Sequence, residues 1–237
     1  MAKKGIDVST WQNKIDWAKV KKAGIEFALI RAGYGRYENQ IDDRFKENVN
    51  GAKAAGIPIG AYWYSYAKSA SEAKQEANVF LKIIKGIKFE FPVYFDIEDN
   101  SQKDLGKNQL TEITKAFCST VEAAGYYVGI YSSLSWLNNN LNMSALPYDV
   151  WVAQWNDVCQ YSGNYGVWQY TSKGSVSGIS GSVDMNMAYQ DYPEIIKNAG
   201  LNGFTKPNDD NDDDYKKKYE ELRTSAKKFI SDVEKLV

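Results

Sequence analysis

Short apolar segments alternate along this chain with longer segments whose hydrophobic residues recur at helical spacing. That alternation is typical of parallel strands with helices packed outside them. The pattern predicts strands at residues 5–9, 25–33, 57–66, 91–99 and 126–133, and helices at residues 15–24, 43–56, 69–86 and 109–125. Each helical segment closes on a glycine, and Ser69 is placed to cap the third helix.

The pattern changes after residue 133. Three more strand-like stretches, at residues 148–155, 165–171 and 182–188, are joined by short or Gly/Ser-rich connections. We interpret the whole as an α/β protein, a barrel whose last third has lost its helices. In a parallel barrel, catalytic residues lie at the carboxyl ends of the strands.

The fourth predicted strand, FPVYFDIED, carries two acids inside an apolar run. Phe91, Val93 and Ile97 belong to the odd-numbered side, which is wholly hydrophobic and must be packed. Asp96 and Glu98 share the other face, because successive side chains of a strand alternate between faces. The two acids either point at water from an ordinary half-buried strand or line a working cavity.

Polar residues at other predicted strand ends follow the same parity. A single acid in such a place is most simply a cap at the barrel mouth, but four converging acids raise one another's pKa and cost stability unless they are used. Asn186 lies on the same side of its strand as the last of these acids. The candidate site comprises the acids Asp7, Asp96, Glu98 and Asp184 together with Arg31, Tyr62, Tyr64, Tyr131 and Gln169.

Composition narrows the chemistry. The chain of 237 residues has no histidine, which excludes histidine triads, histidine general bases and most zinc hydrolase sites. Its net charge of −1 offers no basic face for nucleic acid, and no apolar stretch is long enough for membrane insertion. Cys118 is expected to lie in a helix and to pack into the protein core. One disulfide with Cys159 is conceivable.

Paired carboxylates without histidine, in a chain with 17 Tyr and 7 Trp, indicate glycoside hydrolysis. One acid must protonate the leaving oxygen, and we expect Asp96 to keep Glu98 protonated near neutrality. The spacing does not choose between retaining, inverting and substrate-assisted routes. A Mg²⁺ or Ca²⁺ site is the competing use of four acids, but no EF-hand or Walker motif accompanies them.

The carboxyl-terminal segment has a different character. We predict an acidic linker at residues 205–214, followed by an amphipathic helix at residues 215–237 whose apolar residues repeat at alternating spacings of four and three. This helix either docks on the barrel, forms a coiled coil that makes a homo-oligomer, or is a spacer to a further module.

Several segments, in order, resemble glycoside hydrolase family 25, the Chalaropsis-type lysozymes found among phage endolysins and bacterial autolysins. They are GIDVSTWQ, ALIRAGYG, AGIPIGAYWY, VYFDIED, GIYSS, VWVAQW, VWQYTSKGSVSGISG and VDMN. The similarity runs from about Gly5 to Tyr192. It implies an irregular TIM-like barrel of eight strands with about five flanking helices, in a catalytic domain at residues 1–204.

The resemblance also implies an N-acetylmuramidase that cleaves peptidoglycan between N-acetylmuramic acid and N-acetylglucosamine. By position, Glu98 is the general acid, Asp96 assists the anomeric centre or orients the acetamido group, and Asp7 and Asp184 match the other two acids. Arg31, Tyr62 and Tyr131 fall at sugar-contacting positions. No metal or organic cofactor is implied. Trp63 stands where the family often has His, on the side of the strand away from Tyr62.

Two alternatives stay open at this point: a non-catalytic glycan-binding barrel that kept its groove, and a chitinase-like hydrolase that uses the same pair of acids. The first residues, MAKKGIDVSTW, lack the apolar region of a signal peptide. We therefore expect a protein made in the host cytoplasm without a leader and acting on the cell wall, with a phage endolysin favoured over a secreted autolysin.

Overall fold

The computed structural model describes residues 2–207 and two further helical positions, Lys217 and Glu221. Apart from these two positions and residues 205–207, the predicted linker at 205–214 and the predicted helix at 215–237 lie outside the described residues.

Eight strands close into a barrel in chain order, as the sequence predicts. The strands are β1 (Lys3–Val8), β2 (Phe27–Tyr34), β3 (Ile59–Tyr64), β4 (Val93–Asp96), β5 (Val128–Ser133), β6 (Asp149–Ala153), β7 (Val167–Gly174) and β8 (Val183–Ala188). The helices of the described chain are α1 (Trp17–Lys22), α2 (Phe45–Ala54), α3 (Ala70–Ile84), α4 (Lys107–Ala123), α5 (Leu134–Asn139) and α6 (Tyr192–Ala199). The sequence pattern indicated the first four of these and missed α5 and α6.

One strand of the barrel runs opposite to the other seven. Neighbouring strands from β1 to β7 are parallel, whereas β8 is antiparallel to both β7 and β1. The amino end of β8 therefore lies at the rim where the other strands end. This reversal, which the sequence pattern did not reveal, places Asp184 directly opposite Asp7 in the register.

Side-chain alternation divides the core into an inner layer that fills the barrel and an outer layer under the helices. Val93, Phe95 and Ile97 belong to the outer layer, and Tyr94 points into the barrel. Phe91 is an exception to the predicted parity, because it belongs to the inner layer and stacks on Phe27 with ring centroids 4.4 Å apart. Pro92 separates Phe91 from the strand, which begins only at Val93, so the alternation does not extend back to it.

Local signals in the sequence account for the helix ends. The Ser69 hydroxyl caps α3 by accepting from the Glu72 backbone N–H at 3.2 Å. Gly24 follows α1 with a φ of 83°, a left-handed conformation that glycine adopts without strain. Cys118 is buried within α4 as predicted, and both Cys118 and Cys159 are free thiols, so the conceivable disulfide is not formed.

Helix α6 and the segment after it close the pole of the barrel opposite the rim. Tyr192 is buried, packs against Phe91 and donates a hydrogen bond to the Asp149 carboxylate. Asn202 is fully buried; its side chain donates to the carbonyls of Phe89 and Phe91 and accepts from the Tyr127 N–H. These contacts tie the starts of two strands to the segment after α6. No helix in the described part of the chain combines the length and apolar character needed to cross a bilayer.

Candidate active site

One cavity of about 380 Å³ opens at the rim where the parallel strands end. Every residue of the sequence-predicted site lines it: Asp7, Arg31, Tyr62, Tyr64, Asp96, Glu98, Tyr131, Gln169 and Asp184. The sequence analysis did not select Ser9, Trp11, Gln12, Trp151, Trp155 and Ser172, which complete the lining.

The acids of β4 differ in their exposure. Asp96 is the last residue of the strand and is only 3% exposed, with one carboxylate oxygen, Oδ1, that is buried and has no hydrogen-bond partner. Glu98 lies two residues beyond the strand end, not within a longer strand as predicted, and is half-buried. Both carboxyl groups nevertheless line the same cavity, as the period-two spacing predicted.

Asp7 is held by a network of amides and indoles. Its Oδ2 accepts from Gln169 Nε2 at 2.9 Å and from Asn186 Nδ2 at 2.8 Å. The Trp151 indole donates to Asn186 Oδ1 at 2.8 Å, and the Trp155 indole donates to Gln169 Oε1 at 3.0 Å. Because each amide oxygen already faces an N–H donor, both amide NH₂ groups are directed at Asp7.

Arg31 is anchored by an acid that the sequence analysis did not select. Its Nε donates to Asp42 Oδ2 at 2.8 Å, and the Asp42 side chain is fully buried. The backbone N–H groups of Thr10 and Arg44 also donate to this carboxylate, at 3.0 and 2.9 Å. Asp42 thereby holds the Arg31 guanidinium at the cavity wall, and the guanidinium charge lowers the pKa of Asp96 against the larger effect of burial.

Burial raises the pKa of all four acids, and the charge of neighbouring acids raises the pKa of Asp7, Asp96 and Glu98 further. Burial raises the pKa of Asp7 to about 8, with the charge of Asp184 adding to the effect, and burial raises that of Asp184 to about 6. The pKa of Asp96 is raised well above its ordinary value by burial and then by the charge of Glu98. Near neutrality the cluster therefore carries fewer than four negative charges and shares its protons.

The pKa of Glu98 is also raised, but mainly by burial rather than by its neighbour on the strand. The charges of Asp184 and Asp99 add to the effect, while the Ser133 backbone N–H lowers the pKa by donating to the carboxylate. The structure thus agrees with the prediction that the pKa of Glu98 is raised, and it attributes the shift first to burial.

Exposed aromatic rings flank the acids. Trp11 is 76% exposed and Trp155 is 65% exposed, although both line the cavity. A second cavity of about 550 Å³ shares Trp11, Arg31 and Tyr64 with the first and adds Tyr34 and Tyr66. The two cavities form a continuous groove with ring faces along it, a surface suited to stacking against sugar rings.

Asn186 and Asp42 hold side chains of the site in place, and sequence reasoning left both out of the site. Asn186 had a usable signal, since it lies two residues after Asp184 and therefore on the same face. Asp42 had none, because it lies between strands and meets Arg31 only in the folded chain. No group of three or more His, Cys, Asp or Glu side chains among the described residues is arranged to hold a metal ion.

Comparison with known proteins gives concordant similarities. The family model described as glycosyl hydrolases family 25 matches residues 6–179. Lysozyme M1 of Streptomyces globisporus is 35% identical over 197 residues, which cover 77% of this chain and 66% of that protein. The autolytic lysozyme of Clostridium acetobutylicum is 29% identical over 184 residues, covering 77% of this chain but only 55% of the relative.

Among solved structures, the bacterial lysozyme from Streptomyces coelicolor superposes with a TM-score of 0.71 at 32% identity. The match covers 83% of this chain and 96% of that one. The similarity therefore extends over nearly all of that lysozyme, whereas the chain spans between half and two thirds of the two curated relatives.

Proposed function

Because this chain belongs to glycosyl hydrolase family 25, we propose that it is a peptidoglycan hydrolase of the lysozyme type. It cleaves the peptidoglycan bond between N-acetylmuramic acid and N-acetylglucosamine. The observation that carries the proposal is the cluster of four carboxyl groups and an anchored arginine at the floor of a groove lined with exposed aromatic rings.

Glu98 acts as the general acid. It is the half-buried member of the β4 pair, so its carboxyl group reaches the open cavity, and its raised pKa keeps a proton available at higher pH than an ordinary glutamate would. Glu98 gives this proton to the glycosidic oxygen as the bond from that oxygen to the anomeric carbon breaks. The resulting carboxylate later takes a proton from the incoming water.

Asp96 supports the positive charge that develops at the anomeric carbon. Its carboxyl group is almost wholly buried, which disfavours its direct attack on the anomeric carbon. Its unpartnered Oδ1 is instead available to hold the N–H of a 2-acetamido group while the oxygen of that group attacks the anomeric carbon. Asp7 and Asp184 complete the polar wall, and Arg31, Tyr62, Tyr64, Tyr131 and Gln169 contact the sugars.

The test compares wild type, Glu98→Gln and the matched control Glu112→Gln, an exposed position on α4, on purified Gram-positive peptidoglycan. Wild type and the control should release soluble fragments with muramic acid at the reducing end, identified by mass spectrometry. Glu98→Gln should release about 10² to 10⁴ times less, the usual contribution of a general acid. Binding to the wall without any release by wild type would favour a binding module, and cleavage of chitin oligomers in preference to peptidoglycan would favour a chitinase-like enzyme.

The remaining parts of the proposal concern the protein as a whole. Residues 1–204 form the catalytic unit, and the heptad-patterned segment at 215–237 makes a homo-oligomer or acts as a spacer. Light scattering on the full chain and on residues 1–204 tests this: an oligomer mass for the full chain alone would support the coiled coil, and a monomer mass for both would support a spacer or docking helix. The protein acts on the cell wall as a phage endolysin, and Gram-positive cells should lyse when it is added from outside.

A further inference from the structure

A third pocket, of about 390 Å³, lies at the end of the groove away from the acid cavity. It shares Tyr66 with the second cavity and therefore adjoins the groove. Its lining is strongly charged and mixed in sign, with Arg36, Lys68, Glu72 and Glu76 around it. A neutral sugar would not require such a lining.

The floor of this outer pocket holds a carboxylate that is only half satisfied. Glu76, on α3, is 1% exposed. Its Oε1 accepts from the Tyr66 backbone N–H at 2.9 Å, whereas its Oε2 is buried without a hydrogen-bond partner. Burial raises the pKa of Glu76 to about 7, against the lowering effect of the Ser65 hydroxyl and the Tyr66 N–H. A buried carboxylate oxygen without a donor is costly unless a ligand supplies one.

The other charged groups restrict what that ligand can be. Glu72 is already engaged by the Arg36 guanidinium and by the Lys68 backbone N–H. Glu76 therefore offers one free carboxylate oxygen, too few for a divalent metal, which takes six or more oxygen ligands. Two glutamates in the lining also disfavour a phosphate.

Lys68 supplies the complementary charge. Its ammonium forms no ion pair with any carboxylate in residues 2–207, and the residue is exposed at the pocket. Arg36 is already committed to Glu72 and lies over the Tyr37 ring at 5.6 Å from its centroid. The pocket thus has at its floor a buried carboxyl group without an ion-pair partner among residues 2–207, and at its side an ammonium that also has none there. That pair is complementary to an ammonium and a carboxylate carried close together on one ligand.

We propose that the outer pocket binds the peptide part of peptidoglycan, with an ammonium of the peptide on Glu76 and a carboxylate on Lys68. The inference rests on the proposed function, because the outer pocket adjoins the groove that is proposed to hold the glycan, and that glycan carries the peptide. Binding there favours glycan strands that carry peptides with a free amine.

The test measures KM and kcat of wild type on three forms of one glycan preparation: intact, with its peptide amines acetylated, and with its peptides removed by an amidase. One charge-assisted contact predicts a KM about tenfold higher for the acetylated and stripped forms, with kcat little changed. Equal KM values on all three forms, with hydrolysis intact, would refute the peptide pocket and leave the proposed function standing. Absence of hydrolysis on every form would overturn both.

Variants then locate the effect. Glu76→Gln keeps an oxygen for the Tyr66 N–H but removes the charge, so the preference for intact over acetylated strands should fall about tenfold, to near unity. A fourth form of the preparation, with its peptide carboxylates amidated, tests Lys68. Lys68→Ala should reduce the preference of the enzyme for the intact form over this amidated form. Glu112→Gln and Lys74→Ala, both at exposed helical positions, are the matched controls and should keep the wild-type preferences. If Glu76→Gln does not fold, Lys68→Ala and the acetylated substrate still decide the outcome, and an unchanged preference in Lys68→Ala would count against the pocket.

Discussion

Replacing Asp7 by asparagine is expected to stabilise the fold although it removes a carboxylate from the active site. Burial and the charge of Asp184 raise the pKa of Asp7 from 3.8 to about 8. At pH 7 the native protein therefore retains a proton on Asp7 that the unfolded chain releases. Integrating that difference gives about 4 kcal/mol of lost stability at pH 7 as an upper limit, since the acids share protons.

Asparagine should retain the favourable contacts. Its side-chain oxygen has two lone pairs and can accept from both Gln169 and Asn186, as Asp7 Oδ2 does. Allowing half of the upper limit, we expect a gain of about 2 kcal/mol at pH 7, or a Tm about 4–8 °C higher for a domain of this size. Peptidoglycan hydrolysis should fall in the same variant.

The pH dependence of the gain identifies its cause. Well below pH 4 Asp7 is protonated in both the folded and the unfolded state, so the variant and wild type should be equally stable. Between pH 4 and pH 8 the wild type loses stability relative to the variant as the unfolded chain releases the proton, and above pH 8 the difference should stay constant.

Urea unfolding at several pH values from 4 to 9 measures this difference. Asp104→Asn, at an exposed position in the loop before α4, is the control and should show no such trend. A variant less stable than wild type at pH 7, or a gain that does not change with pH, would show that Asp7 is not held protonated by burial.

Other substitutions test the pole of the barrel, the arginine anchor and the acid. Tyr192→Phe removes the hydroxyl that donates to Asp149 and should cost about 1–3 kcal/mol in urea unfolding with kcat unchanged; a lower kcat would contradict the separation of the two poles. Asp42→Ala leaves the Arg31 guanidinium partly buried without its anion and should cost about 3 kcal/mol and raise KM; a neutral result would mean that Arg31 finds another partner. Activity of the wild type should fall as pH rises through the raised pKa of Glu98, and a flat profile across that titration would argue against Glu98 as the acid.

Period-two alternation predicted most of the barrel and most of its site. It assigned Trp63 to the side away from Tyr62, and Trp63 is fully buried under the helices with its indole donating to the Gly35 carbonyl. It also placed Asp96 and Glu98 together, although the strand ends between them. Alternation succeeds here because burial of one face fixes the register of each strand.

Other features could not be read from local pattern. The direction of β8 depends on long-range pairing with both β1 and β7, and nothing within residues 183–188 encodes it. The ion pair between Arg31 and Asp42 likewise joins a strand to a loop. Phe91 was misassigned because the alternation was extended across Pro92, where the strand has not yet begun. Helix α6 was missed because its buried residues, such as Tyr192, pack against the end of the barrel, a contact that exists only in the folded chain.

The buried amide of Asn202 has a consequence for how this barrel can be attached to other objects. Asn202 is fixed beside the starts of β4 and β5, at the pole opposite the carboxylate cavity. Lys3, at the start of β1, lies at that same pole and is paired with Asp191. A fusion partner, a surface linkage or a wall anchor joined at either place leaves the groove unobstructed. A barrel immobilised through this pole would present the carboxylate cavity, at the opposite pole, to an insoluble polymer.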